Sequence, residues 1–115
     1  MRMTLMLIST MVMYSAVCAA SDKNKFYALH DETCRQYLID RSATATTLPH
    51  VAWLSGYISA FNRQTSDTYD IANGQKSSTF IPWLDRWCQS NPDKSLGSGM
   101  EKLTSELSAQ RRRSR

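Results

Sequence analysis

Apolar residues recur at helical spacing in several stretches of the chain, and polar runs separate them. In the stretch 51–61, placed at 100° per residue, Val51, Trp53, Leu54, Tyr57, Ile58, Ala60 and Phe61 fall on one arc about half the circumference wide. An ordinary surface helix needs a narrower stripe, so this pattern predicts a central helix that touches more than one neighbour. The rest of its surface carries Ala52, Ser55, Gly56 and Ser59, small and uncharged, with Asn62 and Arg63 only at the end. Such a face lets another backbone approach closely, which would offset the roughly 1 kcal/mol that Gly56 takes from helix propensity. The plainer alternative is an amphipathic helix with a small solvated face.

Three more helices follow from the same periodicity. The first is expected from Asp31 to Asp40, with Cys34, Tyr37 and Leu38 inward and Asp31 and Glu32 at the positive end of its dipole. The polar run 42–47 is a loop, with Thr47 as N-cap of the central helix and Pro49 in its first turn. A third helix is expected from Thr79 to Ser90, with Phe80, Ile81, Trp83, Leu84, Trp87 and Cys88 on a broad apolar face. Pro82 fits its first turn, where no N–H is needed, and Asn91 and Pro92 stop it. Ser95 caps a fourth helix striped by Leu96, Met100, Leu103 and Leu107, with Gly97 and Gly99 weakening its start. The long polar stretch 64–78, with a turn at Asn73 and Gly74, is expected to be an irregular loop with one helical turn at most. No repeat and no convincing strand is present. The fold class is all-α: a small single-domain bundle of about four helices.

The N-terminus has the pattern of an export signal. Arg2 precedes a mostly apolar run from Met3 to Val17, and Cys18, Ala19 and Ala20 place small side chains where a signal peptidase cuts. The run is too short and too polar for a good membrane span. Cleavage after Ala20 gives a signal peptide over 1–20, a helical domain over 21–110 and a basic tail over 111–115. Cys18 lacks the flanking residues of a lipoprotein signal. A mature chain of 95 residues buries only about 60–65% of its surface on folding, so a covalent staple would help it. Loss of Cys18 leaves Cys34 and Cys88, which in an exported chain read as a disulfide. Such a bridge stabilises by about 4 kcal/mol in the chain-entropy model. The competing reading is a metal site in which His30 and His50 join the two thiols.

Charge changes the picture less than the formal +4 suggests. Arg111, Arg112, Arg113 and Arg115 carry most of the excess, and the mature body up to residue 110 is close to −1. No apolar residue follows Ala109, so the tail is expected to be disordered. Each arginine near an anionic lipid surface is worth about 1 kcal/mol, so the tail suits weak membrane-surface contact, or simply solvation. Nucleic acid is not an expected partner of an exported chain.

Catalytic motifs are missing from the sequence. Neither His30 nor His50 stands in a nucleophile pattern, no phosphate-binding glycine loop occurs, and the carboxylates are scattered except for Asp31 and Glu32. An enzyme is not expected, nor is a cofactor or a resident metal. The aromatic residues say more. Trp53 and Tyr57, followed by Phe61, form one helical row, and Trp83 and Trp87 form another. These are either core or an apolar surface for a protein partner. Asp85 lies at the edge of the second row, either as a buried carboxyl with a raised pKa or as a rim carboxylate with Arg86 in solvent.

Thr33-Cys34, Tyr37-Leu38, Gly56-Tyr57 with Ala60 and Asn62, Trp87-Cys88, the polar turn 90–94 and a last amphipathic helix together resemble the HdeA/HdeB periplasmic acid-stress chaperones. The resemblance covers about Thr33 to Leu107. It implies an all-helical fold with one disulfide, and a dimer that acid loosens to expose apolar surface to unfolding clients without ATP. The longer loop before the third helix, the arginine tail and the three tryptophans depart from that pattern. The layout is also similar to the Rap/Tai periplasmic immunity proteins, which neutralise one secreted effector. A third class is a structural periplasmic adaptor. Under the acid reading the trigger is carboxylate, because histidines titrate near 6.5 and carboxylates near 4. Asp85 is the first candidate pH sensor, then Glu32 and Asp40. Full protonation takes the body from about −1 to about +9 before histidines or tail are counted, which favours opening by like-charge repulsion.

The disulfide reading has a direct check. Freshly isolated protein should show no free thiol at Cys34 or Cys88 by intact-mass spectrometry with an alkylating agent, and a 2 Da gain on reduction.

Overall fold

The computed structural model describes residues 31–43 and 46–115. The proposed signal peptide with its cleavage after Ala20, and the segment 21–30 with His30, lie outside the described residues. Four α-helices follow one another: α1 (Cys34–Ala43), α2 (Leu48–Gln64), α3 (Ile81–Ser90) and α4 (Leu96–Leu107). Short 3-10 turns precede α3, at Ser77–Phe80, and follow α4, at Ser108–Gln110. Among the described residues there is no strand, only two isolated backbone bridges, Thr33 with Ser95 and Asp70 with Arg112. Cys34 and Cys88 are bridged.

α1 starts three residues later than its sequence pattern predicts, because the acidic pair before it serves other helices. Thr33 takes the capping role, its hydroxyl accepting from the Gln36 N–H at 3.2 Å. Asp31 instead accepts from the Gly97 N–H at 2.7 Å, placing a negative charge at the positive end of α4. The backbone around it is laced to the α3–α4 turn: the Cys34 N–H donates to Lys94 O at 2.7 Å, that of Arg35 to Pro92 O at 2.9 Å, and that of Leu96 to Glu32 O at 3.0 Å.

α3, not α2, is the hub. It lies against both α1 and α4, whereas α2 lies mainly against the 3-10 turn at Ser77–Phe80. α2 still buries a wide arc. His50, Leu54 and Ile58 are buried, and Val51, Trp53, Tyr57 and Phe61 pack half-buried on the core. Ala60, the margin of the predicted arc, is exposed. The opposite face is open around Gly56, where among the described residues nothing lies within 4 Å of a built Cβ, although Ser55 at its margin meets Ser77. The expected close backbone approach there is corrected to an open surface, because the single hub needs only one side of α2. Close approach occurs at Gly99 instead, where a Cβ would stand 2.9 Å from the Trp87 ring and 3.1 Å from Leu84. That glycine seats α4 on α3. Ser95 caps α4, its hydroxyl accepting from the Ser98 N–H, and Leu96, Met100, Leu103 and Leu107 are all buried.

The loop 65–76 is irregular, as its polarity predicts, but it is not loose. Asp67, Asn73 and Gly74 take positive φ. The Asp70 carboxylate accepts from the N–H groups of Ala72 and Gly74, and the Asn62 side chain accepts from Ile71 N–H at 2.8 Å. These bonds turn Ile71 and Ala72 into the core. The tail expected to be disordered from Arg111 onward is also corrected. Arg112 forms its backbone bridge with Asp70, and Arg111 and Arg113 both pair with Asp67. Acidic partners brought near by the loop do what no apolar residue of the tail could.

Helix propensity alone says that Gly99→Ala should stabilise the protein by about 1 kcal/mol. The packing at Trp87 and Leu84 gives the opposite sign, a loss of about 1–3 kcal/mol in urea denaturation.

Candidate functional site

Helical spacing puts Cys34, Tyr37 and Arg41 on one face of α1, and Asp85 and Cys88 on one face of α3. Once the two cysteines are joined, Asp85 lies against the next turns of α1. The Tyr37 hydroxyl donates to Asp85 Oδ1 at 2.6 Å. Arg41 donates twice, from Nε to Oδ1 at 3.1 Å and from Nη2 to Oδ2 at 2.8 Å. This is a bidentate pair, with side chains only 23% and 25% exposed. The Arg41 bond holds the Asp85 carboxyl below its ordinary range; burial opposes it and the Tyr37 bond adds to it. Burial, and then the bond to Asp85, push the Tyr37 hydroxyl up. Asp85 is thus neither of the two things its sequence position suggests, a buried lone carboxyl or a free rim carboxylate. The four-residue spacing of Tyr37 and Arg41, carried across the cysteine pair, was the signal for these partners.

The other two candidate pH sensors sit together. Glu32, Asp40 and His50 bring one donor atom each within 4.8 Å of one another, from the entry to α1, from α1 and from α2. The His50 Nε2 is 3.2 Å from Glu32 Oε1, while its Nδ1 is buried without a partner. Gln36 donates to Asp40 at 2.9 Å. Burial, followed by the charge of Asp40, raises the Glu32 carboxyl above its ordinary range. A raised carboxyl favours the folded state when protonated, so its contribution is present at low pH and lost as pH rises through the folded value. Glu32 therefore acts in the opposite sense to Asp85, which corrects its expected role as an acid trigger. The alternative metal set of His30, His50 and two thiols also loses its thiols to the bridge.

The aromatic candidates form two separate pairs. Trp53 and Tyr57 lie with ring centroids 5.7 Å apart on α2, and Trp83 and Trp87 stack at 6.3 Å on α3. Trp83 donates to Glu106 on α4 at 3.1 Å, and the Lys94 ammonium stands 5.9 Å from the Trp87 ring. These four and Phe61 are half-buried, each with one side on the core. Burial, then the charges of Glu101 and Asp31, raise the Tyr57 hydroxyl. Among the described residues the most exposed large apolar side chains are others: Leu48 at 73%, Ile39 at 53% and Tyr69 at 46%. Leu48 was legible as the outward position at the start of the α2 wheel; Tyr69 lies in a loop without periodicity and gave no signal.

No helix of the described residues is long and apolar enough to cross a membrane. A bridged cysteine pair belongs to an oxidising compartment. Comparison of the chain with protein-family models, curated proteins and solved structures finds no match.

Because the folded Asp85 carboxyl titrates below its unfolded value near 4, its stabilisation is present above that value and disappears as pH falls through the lower one. Asp85→Asn should cost about 1–3 kcal/mol at pH 7. The difference from wild type should shrink toward zero near pH 2, measured by urea denaturation at each pH.

Proposed function

We propose that this protein is a periplasmic holdase that needs no ATP and captures unfolding proteins in acid on apolar surface, in the manner of the HdeA/HdeB chaperones it resembles. The observation that carries this reading is the Tyr37–Asp85–Arg41 cluster, a hydrogen-bonded seam between α1 and α3 that requires an ionised carboxylate. Acid removes that charge while the disulfide, indifferent to pH, keeps α1 and α3 joined. Loosening without full unfolding is what a reversible acid-activated binder needs. Trp53, Tyr57, Phe61, Trp83 and Trp87 supply apolar area that is half covered at neutral pH and becomes the client surface when the helices part. The open face of α2 around Gly56 leaves room for a second copy in a neutral-pH dimer. Arg112 and Arg115, which among the described residues form no ion pair, remain for weak contact with anionic lipid.

The test is breadth of protection. Below about pH 4, where carboxylates protonate, the protein should suppress light scattering by several unrelated acid-unfolded clients. Asp85→Asn should shift the onset to higher pH. Protection of none of them, together with tight neutral-pH binding to a single secreted effector, replaces this reading with an immunity protein of the Rap/Tai kind.

A further inference from the structure

Two parts of the chain are held together by ties of unequal kind. One part contains α1, α3 and α4. It is stapled by Cys34–Cys88 and by the three backbone hydrogen bonds that join residues 32–35 to the α3–α4 turn. The other part, residues 46–76, contains α2 and the long loop. Its side-chain ties to the rest include Ser55 donating to Ser77 at 2.8 Å, His50 meeting Glu32, and the edge of the His50 ring against Tyr37 with centroids 4.8 Å apart. Among the described residues, apart from the local bond from Thr79 N–H to Lys76 O where the two parts adjoin in the chain, every direct backbone hydrogen bond between them runs through one tail residue. Tyr69 and Asp70 donate to Arg112 O at 2.9 and 3.0 Å, and Arg112 donates back to Asp70 O at 2.8 Å.

Side chains on either side reinforce that contact. Arg111 donates from Nε to Asp67 O at 3.0 Å and from Nη1 to Ser108 O at 2.6 Å, so it spans the end of α4 and the loop. Arg111 and Arg113 both pair with the Asp67 carboxylate. Asp67 itself takes φ +55°, a conformation that disfavours side chains and that the two guanidinium contacts help to hold. The Arg112 side chain lies over Gly74, whose Cβ would stand 3.2 Å from Nη2.

We propose that residues 111–113 are a latch that holds the α2 part closed on the disulfide-stapled part, and that its release lets α2 lift off the 3-10 turn at Ser77–Phe80. Lifting α2 uncovers Leu54 and Ile58 and the core side chains beneath them. The latch rests on the holdase reading for its use, as the gate of the client surface, but its existence is tested without any client.

The test compares the full chain with a chain ending at Gln110 and with Asp67→Asn, in which asparagine tolerates the left-handed backbone and only the ion pairs are lost. Amide hydrogen exchange is followed residue by residue at pH 7, with hydrophobic-dye binding alongside. Removal of 111–115 should speed exchange in α2 and at Ile71 and Ala72 by about tenfold or more, and raise dye binding, while Cys88 and Leu103 keep their protection. Asp67→Asn should give a smaller change of the same pattern. In the shortened chain, Ser55→Cys with Ser77→Cys, once mapped as an added bridge, should restore protection in α2 and remove the extra dye signal. Unchanged α2 protection on truncation, an equal loss in every helix, or no rescue by the added bridge would each overturn the latch. If truncation opens α2 selectively and still protects no client in acid, the latch stands and the holdase reading falls.

Discussion

The bond between Cys34 and Cys88 decides what else this small chain can do with its polar groups. It joins α1 to α3 at one point, and helical geometry then carries Tyr37 and Arg41 onto Asp85 along the same seam. A partly buried carboxylate needs such partners, since removing a charge from water without them costs several kcal/mol. The residues that meet Asp85 are therefore set by the spacing of the cysteines as much as by their own chemistry. With the seam in place, the segment before α1 is free to bind the α3–α4 turn, and Asp31 caps α4 from outside the helix.

The ties around the seam respond to different conditions. The disulfide answers only to redox state. The Asp85 pairing answers to acid, with stability lost as pH falls. The Glu32 carboxyl, raised by burial and by Asp40, answers with the opposite sign. In the tail pairs Asp67 and Arg113 are exposed, although Arg111 is largely covered, so each pair contributes little alone and salt screens it. Their effect comes from fixing the backbone of Arg112 beside Asp70.

The half-buried aromatic rows fit the same picture. The rings are partly buried against the core, so the rows stabilise the fold and carry apolar area toward the surface. Gly99 permits the Trp87 contact by letting α4 come close, whereas Gly56 faces open space. Two glycines in similar helical settings thus have opposite surroundings, and only the position of the hub helix distinguishes them.

Much of the fold was legible in the residues alone. Periodicity gave four helices, their inward stripes and the Ser95 cap, because burying apolar side chains at 3.6-residue spacing is a local property of a helix. Cysteine parity, counted after the expected loss of Cys18, gave the bridge. What sequence could not give is which helix the others surround, since α2 has the widest apolar arc and α3 holds the centre. Nor could it give the opposite sign of Glu32 or the anchoring of the tail, and the spacing of Tyr37 and Arg41 points to Asp85 only once the two cysteines are joined. Each of these is a contact between residues far apart in the chain, and a charge alone is silent about its partner. Burial, pairing and pKa direction arise only when folding sets two such groups a few ångströms apart in a medium less polar than water.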